Sequence, residues 1–540
     1  MMKQLAFLNG EVISQNAQGD IYEACLIEGN RICAVGTTEE IRKMLNRDAQ
    51  IVDLHGKTVL PGLIDAHMHL FLYGNTLIHV NCKDPVISSV AELLERIREI
   101  VAEAPAGKII RAFGFNEVMV EEQRYPTLEE LDAISKEHPI IITRTCGHIG
   151  VINSAAMKLA GMNEHTPSPH GGTIEKDANG QLTGRLIENA FLQFNQHVTY
   201  SEEELYKALE KAQDKLLAYG ITSVHDAGGF DADSFRIMQQ ASKGKQLKLR
   251  VYAMIGSLND CEAFTKTMIS SGVVSYTGNE FFTIGPAKLF TDGSSTGPTI
   301  ATREPYDSDA ENYGYLQYTE DELYDIFLPA HVKGYQLTVH AQGDKAIEQY
   351  LNVIERLQTE HPRQDHRHRV EHLGVCPPDL QERVRTLKVI PVLNPSFPYE
   401  FGESYIHNYG KRTDYMYAAK ELIDKEIVVT AGSDAPITTA NPFVGMYMAQ
   451  ERVTKKGTPF GQEQRVTLHD AIKMYTINAA YASKEEDIKG SIEVGKLADL
   501  AILNTSILDR PAEDLLNVEV EMTILDGEIV YSKQHAGVNA

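Results

Sequence analysis

With 540 residues, 43% hydrophobic and 23% charged, the chain can form a large core plus a satellite domain and has a globular composition. A formal net charge of −24 excludes the basic surface that nucleic acid or an anionic membrane requires. Six scattered cysteines (Cys25, Cys33, Cys82, Cys146, Cys261, Cys376) form no C-x-x-C pair, and there is no signal-peptide core or span-length apolar run, so buried thiols in the cytoplasm are expected.

Residues 1 to about 58 read as strands and turns. Leu5 to Ile13 contains Asn9-Gly10, a hairpin turn. Tyr22 to Val35 turns at Glu28-Gly29-Asn30, Thr38 caps a short helix, and Ile51–Leu54 is a further strand. Leu60 to Leu72, LPGLIDAHMHLFL, is an apolar run carrying His67 and His69. Side chains two apart on a strand share a face, so both imidazoles project from one strand end and begin a metal site. Taken alone, they are equally well explained as histidines hydrogen-bonded at a strand edge. Tyr73 to about Thr199 lacks a clean strand-helix alternation. It contains a capping box at Thr127 and Glu130, a buried-type strand Pro139–Thr145 and a short helix Ser154–Leu159. It reads as a long insertion, and insertions of this size carry function.

From Ser201 a regular rhythm sets in. Strands at Ile221–His225, Lys248–Ile255, Ile284–Thr291, Gln336–His340, His368–His372, Val389–Leu393 and Val428–Ala431 alternate with helical segments. With the His67/His69 strand they make eight, the pattern of an α/β fold of the (β/α)8 TIM-barrel type. A doubly wound sheet would need a Gly-rich phosphate turn near the first strand, and none is present. After a helix opening at Thr467, GSIEVGKLADLAIL and VEMTILDGEIVYS return to β composition, with a turn at Asp526-Gly527. The expected organisation is a small β-sandwich domain from residues 1–58 and 485–540, a barrel over 59–484, and an insertion at about 73–199 after barrel strand one.

Chemistry in such a barrel sits at the C-terminal ends of the strands. His67, His69, Lys288, His340, His372 and Asp434 stand there. Each has a bland reading: His340 and His372 as barrel-end histidines, Asp434 as a cap, Lys288 paired with Asp434 or Asp292. Six separate bland explanations on one rim are too many, and a metal site accounts for all. A cationic lysine cannot ligate, but carboxylated by carbon dioxide it becomes an anionic two-oxygen ligand that can bridge two ions. Imidazole with carboxylate suits zinc best, manganese or iron next.

GLIDAHMH, KLFTDGS, HAQGD, VEH and GSDAP occur in this order, followed by GSIEVGKLADLAIL, with RTCGHIGVINSAAM in the insertion. On these motifs the chain resembles, over nearly its whole length, the amidohydrolase superfamily and within it the YtcJ-like branch (amidohydrolase family 3), which includes N-substituted formamide deformylases. The resemblance implies that His67 and His69 bind one metal and His340 and His372 the other. It implies that carboxylated Lys288 bridges them and that Asp434 binds the first metal and acts as acid and base. Gln342 departs from the branch, where a small or apolar residue is common. The implied activity is hydrolysis of an amide-like, non-peptide carbon-nitrogen bond in a small molecule by metal-activated hydroxide. A deaminase or an ester or lactone hydrolase on the same centre is the alternative, and a non-catalytic binding protein a distant third. Weaker candidates for substrate contacts are His148, Arg185 and His225. Asp344 reads as a helix N-cap, and His361, His366 and His368 as a solvated loop without a role. A homodimer is the assembly to test first, because closed dimers are the commonest.

Overall fold

The computed structural model describes residues 3–533 except Asp84, Pro85, Cys146, His148, His170 and Gln196. They fall into two compact units, residues 1–70 with 213–540, and residues 71–212.

The first unit holds an eight-stranded sheet whose named pairings are all parallel: β1 (Leu63–Met68), β2 (Ile221–Asp226), β3 (Arg250–Ile255), β4 (Phe282–Phe290), β5 (Leu337–Ala341), β6 (Arg369–His372), β7 (Ile390–Leu393) and β8 (Thr430–Ala431). Each strand pairs with the next, and the β8–β1 seam closes just past the strands, where Asp434 N donates to His67 O at 2.7 Å and His69 N to Ala435 O at 3.0 Å. Gly432 permits that approach, since a Cβ there would stand 2.4 Å from His67 N. This is the (β/α)8 architecture expected. The intervening helices carry the expected signals. Thr319 and Glu322 form a reciprocal capping box ahead of Glu320–Val332. Asp344–Glu360 buries Ile347, Tyr350, Leu351, Ile354 and Leu357 at helical spacing, each worth roughly 1.5–3 kcal/mol. Gly343 is the N-cap of that helix and Asp344 its first residue, its Oδ1 accepting Arg303 N at 2.8 Å and Lys345 N at 2.9 Å.

The apolar run from Leu60 is two strands, not one. Thr58–Pro61 joins a six-stranded sheet of both chain ends, antiparallel to Leu500–Leu503 and parallel to Glu11–Ile13. Leu63–Met68 joins the barrel, and the break falls at Gly62, where a Cβ would lie 2.2 Å from Thr222 Oγ1. Asn9-Gly10 likewise turns the chain without making a hairpin. Gln4–Leu8 pairs within a separate four-stranded sheet, while Glu11–Ile13 pairs in the six-stranded one. Leu5, Phe7, Val12, Ile27, Val59, Leu500 and Ile502 share one core between these sheets. Arg250, 1% exposed at the start of β3, grips Asp499 with two hydrogen bonds of 2.6 and 2.9 Å and ties the barrel to this β structure.

The unit 71–212 has its own six-stranded mixed sheet, ordered Gly172–Lys176, Leu182–Glu188, Ile149–Ile152, Ile140–Arg144, Ile110–Phe115 and Val80–Asn81. Val90, Leu93 and Ile97 of the helix Val90–Glu103 pack against Ile110, Ala112 and Ile140 of that sheet.

Candidate metal centre

His67 is the penultimate residue of β1, and Met68 separates it from His69. Their rings meet edge to face with centroids 5.7 Å apart, the shared face expected of positions two apart. His372 ends β6 and breaks strand alternation. It has φ 73° and Leu373 has φ 44°, left-handed values uncommon for such residues. The turn brings its ring to 4.7 Å from that of His67 and 4.5 Å from that of His340. Asp434, at φ 55°, projects from the loop after β8. Its Oδ1 lies 3.4 Å from His67 Nε2 and 3.5 Å from His69 Nε2. One ligand atom each from His67, His372 and Asp434 falls within 4.8 Å of the others. Backbone strain at two of these three residues is typical of a site whose geometry the surrounding structure imposes.

Each imidazole is held through one nitrogen. His67 Nδ1 is 2.6 Å from Glu371 Oε2, and His69 Nδ1 is 2.9 Å from Gly228 O. His340 Nε2 is 2.8 Å from Gly293 O. His372 Nδ1 is 2.7 Å from Asn394 Oδ1, whose amide nitrogen donates to Gly432 O at 2.9 Å and fixes its orientation. All four partners are acceptors, so these nitrogens carry the proton and the opposite ones carry the lone pair. His67 Nε2 is buried with no hydrogen-bond partner among the described residues. Burial first, then the charge of Lys288, pulls His69 down to about 3 and His67 well below its usual range. Burial likewise keeps His372 neutral. Neutral imidazoles with fixed tautomers and an orphaned buried nitrogen beside a carboxylate fit a divalent metal.

Lys288 is fully buried on β4, its Nζ donating to Ala227 O at 3.0 Å and lying 4.7 Å from the Phe290 ring centre. Burial lowers its pKa, opposed by Glu371 and Asp434. Two buried carboxyls fasten the loops that carry the site. Asp65 accepts His67 N, Ser433 N and Ser433 Oγ at 3.1, 3.0 and 2.5 Å, and burial raises it to about 6. Asp292 accepts Gly343 N at 2.7 Å and Gln342 N at 3.1 Å, with Oδ1 3.5 Å from His340 Nε2. Gln342 is itself buried and accepts Tyr417 OH at 3.3 Å. Phe290 and Phe397 flank the imidazoles, 5.4 Å from the His340 ring and 6.1 Å from that of His372.

His225 is 0% exposed inside the barrel; its Nδ1 accepts from Arg369 Nη1 at 2.8 Å and its Nε2 has no hydrogen-bond partner among the described residues. Arg185 belongs to the 71–212 unit, ion-paired with Glu175 and 5.1 Å from the Tyr125 ring centre. His148 lies outside the described residues. Sequence reasoning missed Glu371, Asn394 and Asp65, and named Asp292 only as a partner for Lys288. Glu371 had a readable signal: Arg369 and Glu371 are two charges two apart in an otherwise apolar strand, hence one face, and bearable in a barrel only as a pair.

The family model described as Amidohydrolase family matches residues 50–531. An N-substituted formamide deformylase of Arthrobacter pascens is 31% identical over 98% of this chain and 99% of its own length. The protein YtcJ of Bacillus subtilis is 29% identical over 97% and 98% of the two chains. The solved structure of an uncharacterized metal-dependent hydrolase from Pyrococcus horikoshii superposes with a TM-score of 0.79 at 26% identity, covering 98% of this chain and 100% of its own. Among the described residues no helix is long and apolar enough to cross a membrane.

Proposed function

The chain belongs to the amidohydrolase family and is a metal-dependent hydrolase of carbon-nitrogen bonds other than peptide bonds, and from that premise we propose which of its residues hold the metal and which moves the proton. His67 and His69 hold one divalent ion together with Asp434. His340 and His372 hold a second, and carboxylated Lys288 bridges the two, with zinc the best match to this donor set. Bound there, the metal supplies a Lewis acid that brings the pKa of water towards neutrality and polarises the scissile carbonyl.

The chain's own residues do the rest. Lys288, its amine pushed towards neutrality by burial, attacks carbon dioxide through Nζ. A nitrogen-carbon bond forms, one proton leaves, and the product is an anionic carbamate. Asp434 takes the proton of the attacking water on its carboxylate and returns it to the leaving nitrogen as the carbon-nitrogen bond breaks. Glu371, Gly228, Gly293 and Asn394 keep the four imidazoles in the tautomer that presents a lone pair. The substrate class is a small N-acyl or N-formyl amine, by similarity to the deformylase. The same reading treats residues 1–58 with 485–540 as a composite β domain, supported by the core that Leu5, Phe7 and Val12 share with Leu500, Ile502 and Ile524, and places the enzyme in the cytoplasm.

The orphaned His67 Nε2 beside Asp434 carries this reading. Elemental analysis of purified protein tests it, beside Lys288→Ala. About two equivalents of zinc or manganese per chain, falling in the variant, is the result expected for a bridged pair of ions. About one equivalent, unchanged in the variant, overturns the bridging lysine. No metal after purification with added zinc overturns the whole assignment.

A further inference from the structure

Arg369 and Glu371 lie on one face of β6, both at 0% exposure inside the barrel. The guanidinium holds the carboxylate in a fork, Nε to Oε1 at 2.9 Å and Nη2 to Oε2 at 3.0 Å. Thr338 Oγ1, on β5, donates to Oε1 at 2.6 Å, and His67 Nδ1 stands 2.6 Å from Oε2. Arg369 also donates from Nη2 to Ala66 O at 2.7 Å and from Nη1 to His225 Nδ1 at 2.8 Å.

The donor and acceptor rules leave one solution. A guanidinium only donates, so His225 Nδ1 accepts. A carboxylate gripped by arginine only accepts, so His67 Nδ1 donates. The lone pair of His67 is therefore on Nε2, the nitrogen that faces Asp434 across 3.4 Å. A glutamate this deep would be prohibitively costly alone. Arg369 balances its charge, and Thr338 and His67 complete its hydrogen bonds. Such a group, built into the barrel interior two residues from its own counter-ion, serves one rim imidazole directly.

We infer that Glu371 is a positioning residue of the metal centre, fixing the tautomer and ring orientation of His67, with Arg369 and His225 holding its charge in place. The inference rests on the reading of His67 as a metal ligand. Without the carboxylate the two tautomers of His67 compete, and one of them turns an N–H towards the metal position.

The test is an equilibrium zinc titration of the metal-free protein against a chromophoric chelator, with thermal unfolding of the same samples. Wild type, Glu371→Gln and Thr338→Val are compared. Glu371→Gln is expected to bind zinc about 10–100-fold more weakly than wild type. Thr338→Val, which removes one donor to Oε1 and keeps the side-chain shape, is expected to weaken binding by about threefold or more. A role confined to packing would lower the melting temperature and leave the zinc affinity alone. Glu371→Gln binding within twofold of wild type overturns the inference. Should Glu371→Gln fail to fold, Thr338→Val with wild-type affinity overturns it instead. Wild-type protein that binds no zinc removes the ligand assignment itself, a result distinct from a wild type and variants that bind alike.

Discussion

His67 and His69 close β1 at one end of the barrel, and His366 and His368 lead into β6 at the other. Both are His-x-His pairs, and all four imidazoles are buried. At the lower end every ring nitrogen is engaged. His366 Nε2 donates to Leu387 O at 3.0 Å while its Nδ1 accepts His368 N at 2.9 Å. His368 Nδ1 accepts Leu337 N at 3.0 Å, which puts its proton on Nε2, 2.9 Å from His331 Nδ1. His331 Nε2 then donates to His361 O at 2.7 Å. At the upper end His67 Nε2 has no hydrogen bond among the described residues. Burial and neutrality are common to both groups. The lower chain is satisfied throughout, whereas the orphaned nitrogen at the rim stands beside a carboxylate, which is where the proposed metal would bind.

If that contrast is right, substitutions at the two ends break different properties. Asp434→Asn at the rim should lower turnover by about 10²–10⁴-fold, with metal content and melting temperature close to wild type, read by steady-state kinetics on an N-formyl amine and elemental analysis. Turnover at the wild-type rate would remove Asp434 from proton transfer. His368→Ala at the base should do the reverse. It strands Leu337 N–H and His331 Nδ1 and leaves a cavity, costing about 3–5 kcal/mol in chemical denaturation, while turnover per folded molecule stays within twofold.

Acid sharpens the contrast. Burial lowers His366 to about 4, against about 6.5 in the unfolded chain. Between those values the unfolded chain binds more protons. The contribution of His366 is therefore complete above pH 6.5 and is lost as pH falls towards 4, about 3 kcal/mol in all. Melting temperatures of the metal-free protein across pH 7 to 4 should fall less steeply in His366→Gln, and parallel curves would contradict the assignment. The smallest effect belongs to His361→Ala. The His361 side chain is exposed and only its carbonyl serves His331, so stability should change by less than about 0.5 kcal/mol.

The rim residues were legible because each follows an apolar run, which fixes both the strand and its direction. His366 and His368 precede theirs and read as a solvated loop, yet they are 4% and 0% exposed. A pair ahead of a strand gives no sign of the helix and strand that cover it. The helix Ser396–Tyr409 was also missed, since Pro398 and Gly402 inside it argue against a helix. Phe397, Tyr405 and Tyr409 pack into an aromatic core with Tyr306, Met416 and Phe460, and that burial overrides propensity. In the 71–212 unit, strands as short as Val80–Asn81 fall below any periodicity a sequence can display. Asn394 stayed hidden because its partners, His372 and Gly432, are remote in sequence.

The split of the Leu60 run at Gly62 has a consequence for biosynthesis. Thr58–Pro61 finds one neighbour, Glu11–Ile13, as soon as it leaves the ribosome, but its other neighbour is Leu500–Leu503. Throughout translation of the barrel the nascent chain therefore carries a half-paired strand edge joined directly to β1, open to pairing with another nascent chain. Only Leu500–Leu503, made after the whole barrel, can close it.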